Sequence, residues 1–312
     1  MKMDISIVVS FLDEEETIEV LVSKLNKYIS TLSPLKVEVI FVDDGSTDGS
    51  IAMLQRLGHS SYAASIIKLS KNYGSHSALR AGILHSSGEF VTFLPADLQD
   101  PLELIGELYK KCKEGYDVVF AFRRNIESNL PERLFSKLYA KLVRIFIADT
   151  FPESGFDIAM FNQKIKDELN QNIEANSSLF LQIFTLGFKQ AAITYDKKLR
   201  LAGTSKWTFS KKIKMAIDSF VAFSYAPIRF VSITGIALSL LGFIWMSYII
   251  LRTIFIRDVM SGWPSLVAIL MIGFGLTNIS LGIIAEYLWR TLDASRHRKV
   301  FIIDKIINCS KV

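Results

Sequence analysis

The sequence predicts an α/β domain followed by interfacial helices and a two-helix transmembrane hairpin. Three observations predict it. β-Branched runs alternate with helix-spaced runs over the first 125 residues, acidic clusters follow three of the strand-like runs directly, and two charge-free apolar runs, 230–251 and 263–285, lie near the end. Those runs hold 22 and 23 residues. Each makes a helix of about 33–35 Å, enough to cross a hydrocarbon core of about 30 Å.

The elements follow in order. Ile5–Ser10 is a β-branched strand, too short to span a membrane and without a signal-peptide layout. Glu14–Leu32 places Ile18, Leu21, Val22, Leu25 and Ile29 at helical spacing. Strands are predicted at Val37–Val42, Ser65–Leu69, Phe90–Leu94 and Val118–Ala121, with helices between them at Ile51–Leu57, Ser75–His85 and Leu102–Lys113. Strands separated by single helices predict parallel pairing through right-handed crossovers, with both sheet faces covered. Ligands of such sheets bind at the carboxyl ends of the strands. Beyond Arg123 the pattern reads as helix Leu130–Ile147, strand Ala159–Phe161, helix Leu179–Gly187 and strand Ala191–Tyr195. Residues 204–227 are basic and then aromatic (Phe220, Phe223, Tyr225), the composition of a helix lying in a membrane interface. The chain thus divides into a domain at 1–203, an interfacial amphipathic region at 204–229, two transmembrane helices within 230–290 and a basic tail at 291–312.

Charge placement orients this layout. The net charge is only +5, but residues 197–214 hold seven Lys/Arg and no acid, and 290–312 hold six against Asp293 and Asp304. The link between the spans has Arg252, Arg257 and Asp258. The positive-inside rule places the domain and both termini in the cytoplasm. Beside spans, such basic stretches meet anionic lipid head groups rather than nucleic acid. Cys112 and Cys309 make neither a disulfide framework nor metal-ligand spacing, which suits a reducing compartment. His59, His76, His85 and His297 form no ligand spacing and receive no role.

Chemistry resides in the acidic clusters Asp13–Glu16, Asp43–Asp48 and Asp97–Asp100. Ser46, Thr47 and Asp48 sit where a helix N-cap is needed. Asp44 and Asp97 face one sheet edge, where carboxylates repel unless a cation or hydrogen-bond donor intervenes. The oxygens of Asp97 and Gln99 suit hard Mg²⁺ or Mn²⁺. No glycine-rich phosphate loop occurs, so a phosphate-bearing ligand falls to a metal and basic side chains.

The run Val42-Asp43-Asp44-Gly45-Ser46-Thr47-Asp48, then Asn72-Tyr73-Gly74, then Asp97-Leu98-Gln99-Asp100-Pro101 resembles family 2 of the inverting glycosyltransferases. Arg200-Leu201-Ala202-Gly203-Thr204-Ser205-Lys206-Trp207, Phe223 to Arg229, and Gly282 through Glu286-Tyr287 to Arg290 resemble its polyprenyl-phosphate branch. That branch holds dolichol-phosphate mannose synthases and bactoprenol glucosyltransferases. The resemblance implies a nucleotide-sugar-binding glycosyltransferase A-type (Rossmann-like) catalytic domain at the cytoplasmic membrane. It implies metal-dependent inverting transfer of a sugar to polyprenyl (undecaprenyl) phosphate, giving a lipid-linked sugar for cell-envelope glycan modification. UDP-glucose is the first choice of donor, with UDP-galactose, UDP-N-acetylhexosamine and GDP-mannose open. Homotetramers occur among hairpin-bearing relatives, so the resemblance also allows a homo-oligomer.

By position, the resemblance implies that Glu14 and Asp44 bind the donor's base and ribose, and that Asp97 is the catalytic, metal-binding carboxylate with Gln99 in the same coordination sphere. It puts Arg123 near the donor diphosphate, Arg200 and Lys206 on a loop closing over it, and Arg133 on the lipid phosphate. The ordinary alternatives are surface ion pairs for Arg123 and Arg133, and a membrane-facing lysine for Lys206. Three departures stand out. Pro95 replaces the first Asp of the usual Asp-x-Asp-Leu-Gln, Asp13-Glu14 replaces Asn-Glu, and Ser154-Gly155-Phe156-Asp157 stands where relatives carry Gly-Asp-Phe-Arg. Asp157 either supplies that catalytic carboxylate or caps a helix. A degenerate, non-catalytic scaffold for a flippase would explain Pro95, but the retained Asp44, Asp97, Gln99, Arg200 and Lys206 argue against it.

Overall fold

A computed structural model describes residues 3–124, 130–152, 155–173, 177–197, 209–256, 262–296 and 298–309. Arg200 and Lys206 lie outside the described residues. The chain forms two compact units, Met1–Asp218 with Lys299–Val312, and Ser219–Arg298.

The first unit is built on one sheet. Its strands are β1 (Met3–Phe11), β2 (Val37–Asp43), β3 (Ala63–Leu69), β4 (Gly88–Pro95), β5 (Val118–Arg123), β6 (Phe156–Asn162), β7 (Gln190–Tyr195) and β8 (Ile303–Cys309), in the order β7-β5-β6-β4-β1-β2-β3-β8. The β4-β1-β2-β3 segment is parallel, as the strand–helix alternation predicts. α1 (Glu15–Ser30), α2 (Ser50–Arg56) and α3 (Ser75–His85) form its crossovers, and α4 (Glu103–Lys113) leads from β4 to β5. α1 turns Ile18, Leu21, Val22, Leu25 and Ile29 into the core. α3 lies so close to β1 and β2 that a Cβ on Gly82 would come 2.2 Å from Val8 Cγ1.

The all-parallel expectation fails beyond β4. β6 enters between β4 and β5 and runs antiparallel to both, while β5 pairs in parallel with β7. The physical reason is composition. Four of its seven residues, Ile158, Ala159, Met160 and Phe161, are 1% exposed or less, and a strand buried on both faces belongs inside a sheet rather than at its edge. The same element removes the helix-capping alternative for Asp157, which lies in β6.

Around this half pack α5 (Leu130–Phe146), α6 (Gln163–Gln171) and α7 (Leu179–Thr185). α6 is absent from the sequence reading because it buries only Ile165 and Leu169, too thin a stripe to signal a helix. Its start is set by Asn162, whose Oδ1 accepts from Ile165 N at 3.3 Å. β8 is also absent from that reading, which assigned the last residues to a basic tail. Within that tail, Ile303–Cys309 pairs antiparallel with β3.

α8 (Phe209–Phe223) leads into the second unit, which holds α9 (Ala226–Ile256) and α10 (Trp263–Ser295). Both long helices contain stretches long and apolar enough to cross a membrane. Large side chains such as Ile233, Phe243, Phe274 and Leu288 stand exposed on them. Within this unit the Tyr287 hydroxyl donates to the Ser224 carbonyl at 2.9 Å, tying α10 to the α8–α9 corner.

Candidate active site

The carboxyl edge of the sheet gathers the loops after β1, β2, β3 and β4, the ends of β5 and β7, and the start of antiparallel β6. Register fixes the neighbours: Phe11 lies opposite Asp43, Ser10 opposite Pro95, and Arg123 opposite Tyr195.

The β1–α1 and β2–α2 loops are laced into one body. Asp13 N donates to Ser46 Oγ at 2.9 Å, Thr47 N to Asp13 Oδ1 at 2.8 Å, and Glu14 N to Ser50 Oγ at 3.1 Å. Asp13 adopts φ +47° to do so, a region Asp tolerates better than most residues. Glu14 is half-buried, and its Oε2 accepts from Thr17 Oγ1 at 2.9 Å. So the acids of the first cluster are partly structural.

Asp44 is buried, and its two oxygens accept the backbone N–H groups of Tyr73 at 2.8 Å and Gly74 at 2.9 Å. Burial pushes its carboxyl up to about 6, against the pull of those two donors, and the neighbouring Asp43 adds to the rise. Gly45, at φ +84°, lets this loop close, because a Cβ there would sit 2.6 Å from the Lys71 carbonyl carbon. Asp44 thus joins the β2 and β3 loops into one wall of the site.

The second wall carries Asp97 and Gln99. Both are half-buried, with Gln99 N donating to Asp97 Oδ1 at 3.3 Å. Between them the buried Leu98 takes φ +57°, a strained backbone for a branched side chain. Among the described residues no three His, Cys, Asp or Glu cluster as a metal cage. One carboxylate and one amide oxygen fit a hard divalent ion that takes one or two protein ligands and completes its shell with phosphate and water.

Arg123 and Asp157 meet directly. Arg123 Nη2 donates to Asp157 Oδ2, and Lys197 Nζ donates to the same oxygen at 2.9 Å. Burial alone would raise the Asp157 carboxyl, but the charges of Arg123 and Lys197 outweigh it and hold it below the usual carboxylate range. Lys197 also lies 3.8 Å from Asp100 Oδ1, which accepts the Tyr195 hydroxyl at 2.6 Å. Asp100 is 3% exposed, and burial raises its carboxyl in spite of these partners. Arg133 is exposed on α5.

The structure therefore brings Arg123 and Asp157 together and places Asp44 and Asp97 on the same sheet edge. Tyr195 and Lys197 received no role from the sequence, and Asp100 was read only as part of its motif. Their signal was available in one respect. Lys197 stands two residues past a predicted strand end, the position where functional side chains of such sheets reside.

Residues 6–192 match the family Glycosyl transferase family 2. The chain belongs to glycosyl transferase family 2. Its fold is the glycosyltransferase A type, and it is an enzyme. Relatives extend over nearly its whole length. The Bacillus subtilis glycosyltransferase YkcC is 33% identical over 302 residues, covering 96% of this chain and 93% of the relative. The bactoprenol glucosyl transferase of Shigella phage SfV is 30% identical over 304 residues, covering 96% and 98%. The undecaprenyl-phosphate 4-deoxy-4-formamido-L-arabinose transferase of Proteus mirabilis is 30% identical over 311 residues, covering 98% and 95%. The transferase thus keeps the hairpin-bearing C-terminal part within its alignments, beyond the matched family region.

Proposed function

We propose that this transferase moves a sugar from a nucleotide-sugar, UDP-glucose first among the candidates, to the phosphate of a membrane polyprenol such as undecaprenyl phosphate. The observation that carries the proposal is the gathering of Asp44, Asp97 and Arg123 at one sheet edge, in a chain that also has two helices able to cross a bilayer. The relatives named for bactoprenol and undecaprenyl phosphate support the acceptor, and the glucosyl transferase supports glucose. The lipid-linked sugar would feed cell-envelope glycan modification. The charge bias supports a catalytic domain and both termini on the cytoplasmic face.

The chemistry asks little of a proton carrier. A phosphomonoester acceptor is already ionised near neutral pH, its second pKa being about 6, so no general base is required. The protein's work is positioning and electrostatics. Glu14 and Asp44 would receive the base and ribose. Asp97 and Gln99 would hold Mg²⁺ or Mn²⁺, which supplies positive charge at the diphosphate oxygens. Arg123 would neutralise the departing nucleoside diphosphate, together with Arg200 and Lys206. Asp157, kept ionised by its two cations, would aim Arg123. Arg133 would meet the lipid phosphate from α5, a helix that also exposes Lys137, Lys141, Leu134 and Leu138. In-line attack inverts the anomeric centre.

Asp97→Ala is expected to lower transfer at least about a hundredfold while membrane insertion stays intact. Radiolabelled donor and undecaprenyl phosphate in isolated membranes measure it, and near-normal turnover would remove Asp97 from the mechanism. A panel of UDP- and GDP-sugars, with the lipid product read by mass spectrometry, identifies the sugar.

A further inference from the structure

Arg123 has two claims on it. One guanidinium nitrogen is given to Asp157, while Arg123 Nε is buried without a hydrogen-bond partner among the described residues. A buried donor left open in this way needs an explanation, and a ligand acceptor met as the guanidinium turns supplies one. Yet a cation already held by a carboxylate meets a diphosphate less readily, because Asp157 loses its counter-ion as the ligand gains one. Lys197 removes that conflict. Its ammonium sits on the same Asp157 oxygen that Arg123 uses, at 2.9 Å, with its side chain 20% exposed. It is steadied by Asp100 at 3.8 Å, whose side chain is wholly buried and anchored by the Tyr195 hydroxyl. A compact ammonium can serve two carboxylates from one position.

We propose that Lys197 is a positioning residue: it keeps Asp157 neutralised so that Arg123 can turn to the diphosphate of the donor. The proposal rests on the nucleotide-sugar reading given above. Three elements supply the charged groups that face Asp157: β5 gives Arg123, the segment after β7 gives Lys197, and the loop after β4 gives Asp100. Without Lys197, Arg123 is left as the only cation paired with Asp157 among the described residues, so it is held back from the diphosphate and donor affinity falls.

The test uses the full chain in detergent, with UDP and GDP titrated calorimetrically into wild type, Lys197→Met, Lys197→Arg and the double variant Lys197→Met/Asp157→Asn. Lys197→Met is expected to raise the Kd for the bound nucleotide about tenfold, and Lys197→Arg to restore most of the affinity. The double variant is expected to bind more tightly than Lys197→Met alone, because an uncharged residue 157 releases Arg123. A purely architectural lysine gives no such recovery. Lys197→Met binding like wild type, or a double variant as weak as the single one, overturns the role of Lys197. A wild-type chain that binds neither nucleotide overturns the nucleotide-sugar reading, and the role of Lys197 with it.

Discussion

A carboxyl group that is 4% exposed, as Asp44 is, resists ionisation, and its upward shift to about 6 has two consequences. The folded chain binds this proton more tightly than the unfolded chain, whose Asp titrates near 3.9. The contribution therefore favours folding at low pH and is lost as pH rises from about 4 through about 6, by up to about 3 kcal/mol. Urea unfolding between pH 4 and 7 should show this slope, and Asp44→Asn should flatten it. Donor binding runs the other way, since a base or ribose held by the carboxylate needs it ionised. The KM for donor should rise below about pH 6 in wild type. At Gly45 the constraint is steric, because a Cβ would press on the backbone at Lys71 and Asn72. Gly45→Ala should cost about 1–3 kcal/mol and weaken donor binding by moving the loop that Asp44 holds, which thermal unfolding and donor titration measure. The place of the acidic motifs at the ends of strands was legible because strand ends are predictable from β-branched runs. That Asp44 spends both oxygens on Tyr73 and Gly74 was not legible, since those partners are about thirty residues away in sequence.

At the scale of elements, β8 closes the sheet over the hydrogen-bonding edge of β3, with Lys68 reaching Asp304 at 3.4 Å. An uncovered edge strand pairs readily with other chains. Truncation after residue 298 should lower the unfolding temperature and increase aggregation, measured by differential scanning fluorimetry and light scattering, although it removes none of the residues assigned to chemistry. Packing of α3 on β1 and β2 gives a second test. Gly82→Ala forces Val8 aside and should destabilise by about 1–3 kcal/mol. Helices with wide apolar stripes, such as α1, were readable from the sequence. α6 and β8 were not, because two buried residues or a lone amphipathic run acquire their identity from the surface they meet.

For the whole molecule, the proposed function turns on the two helices long and apolar enough to cross a membrane. A charge near the middle of α9 should oppose insertion, and Leu241→Arg is expected to cost about 3–4 kcal/mol of insertion free energy. Alkaline extraction of membranes should then release more of the variant than of wild type. What the sequence by itself determined is local in origin: strand and helix periods, the length and apolarity of the last helices, and the residue types offered at strand ends. Strand order and charge pairing were decided only by the tertiary structure. β6 enters the middle of the sheet because both its faces need cover, and that entry places Asp157 beside Arg123 and Lys197. Such pairings join residues 34 and 40 positions apart, and no periodicity along the chain encodes which distant surface a strand or a cation will meet.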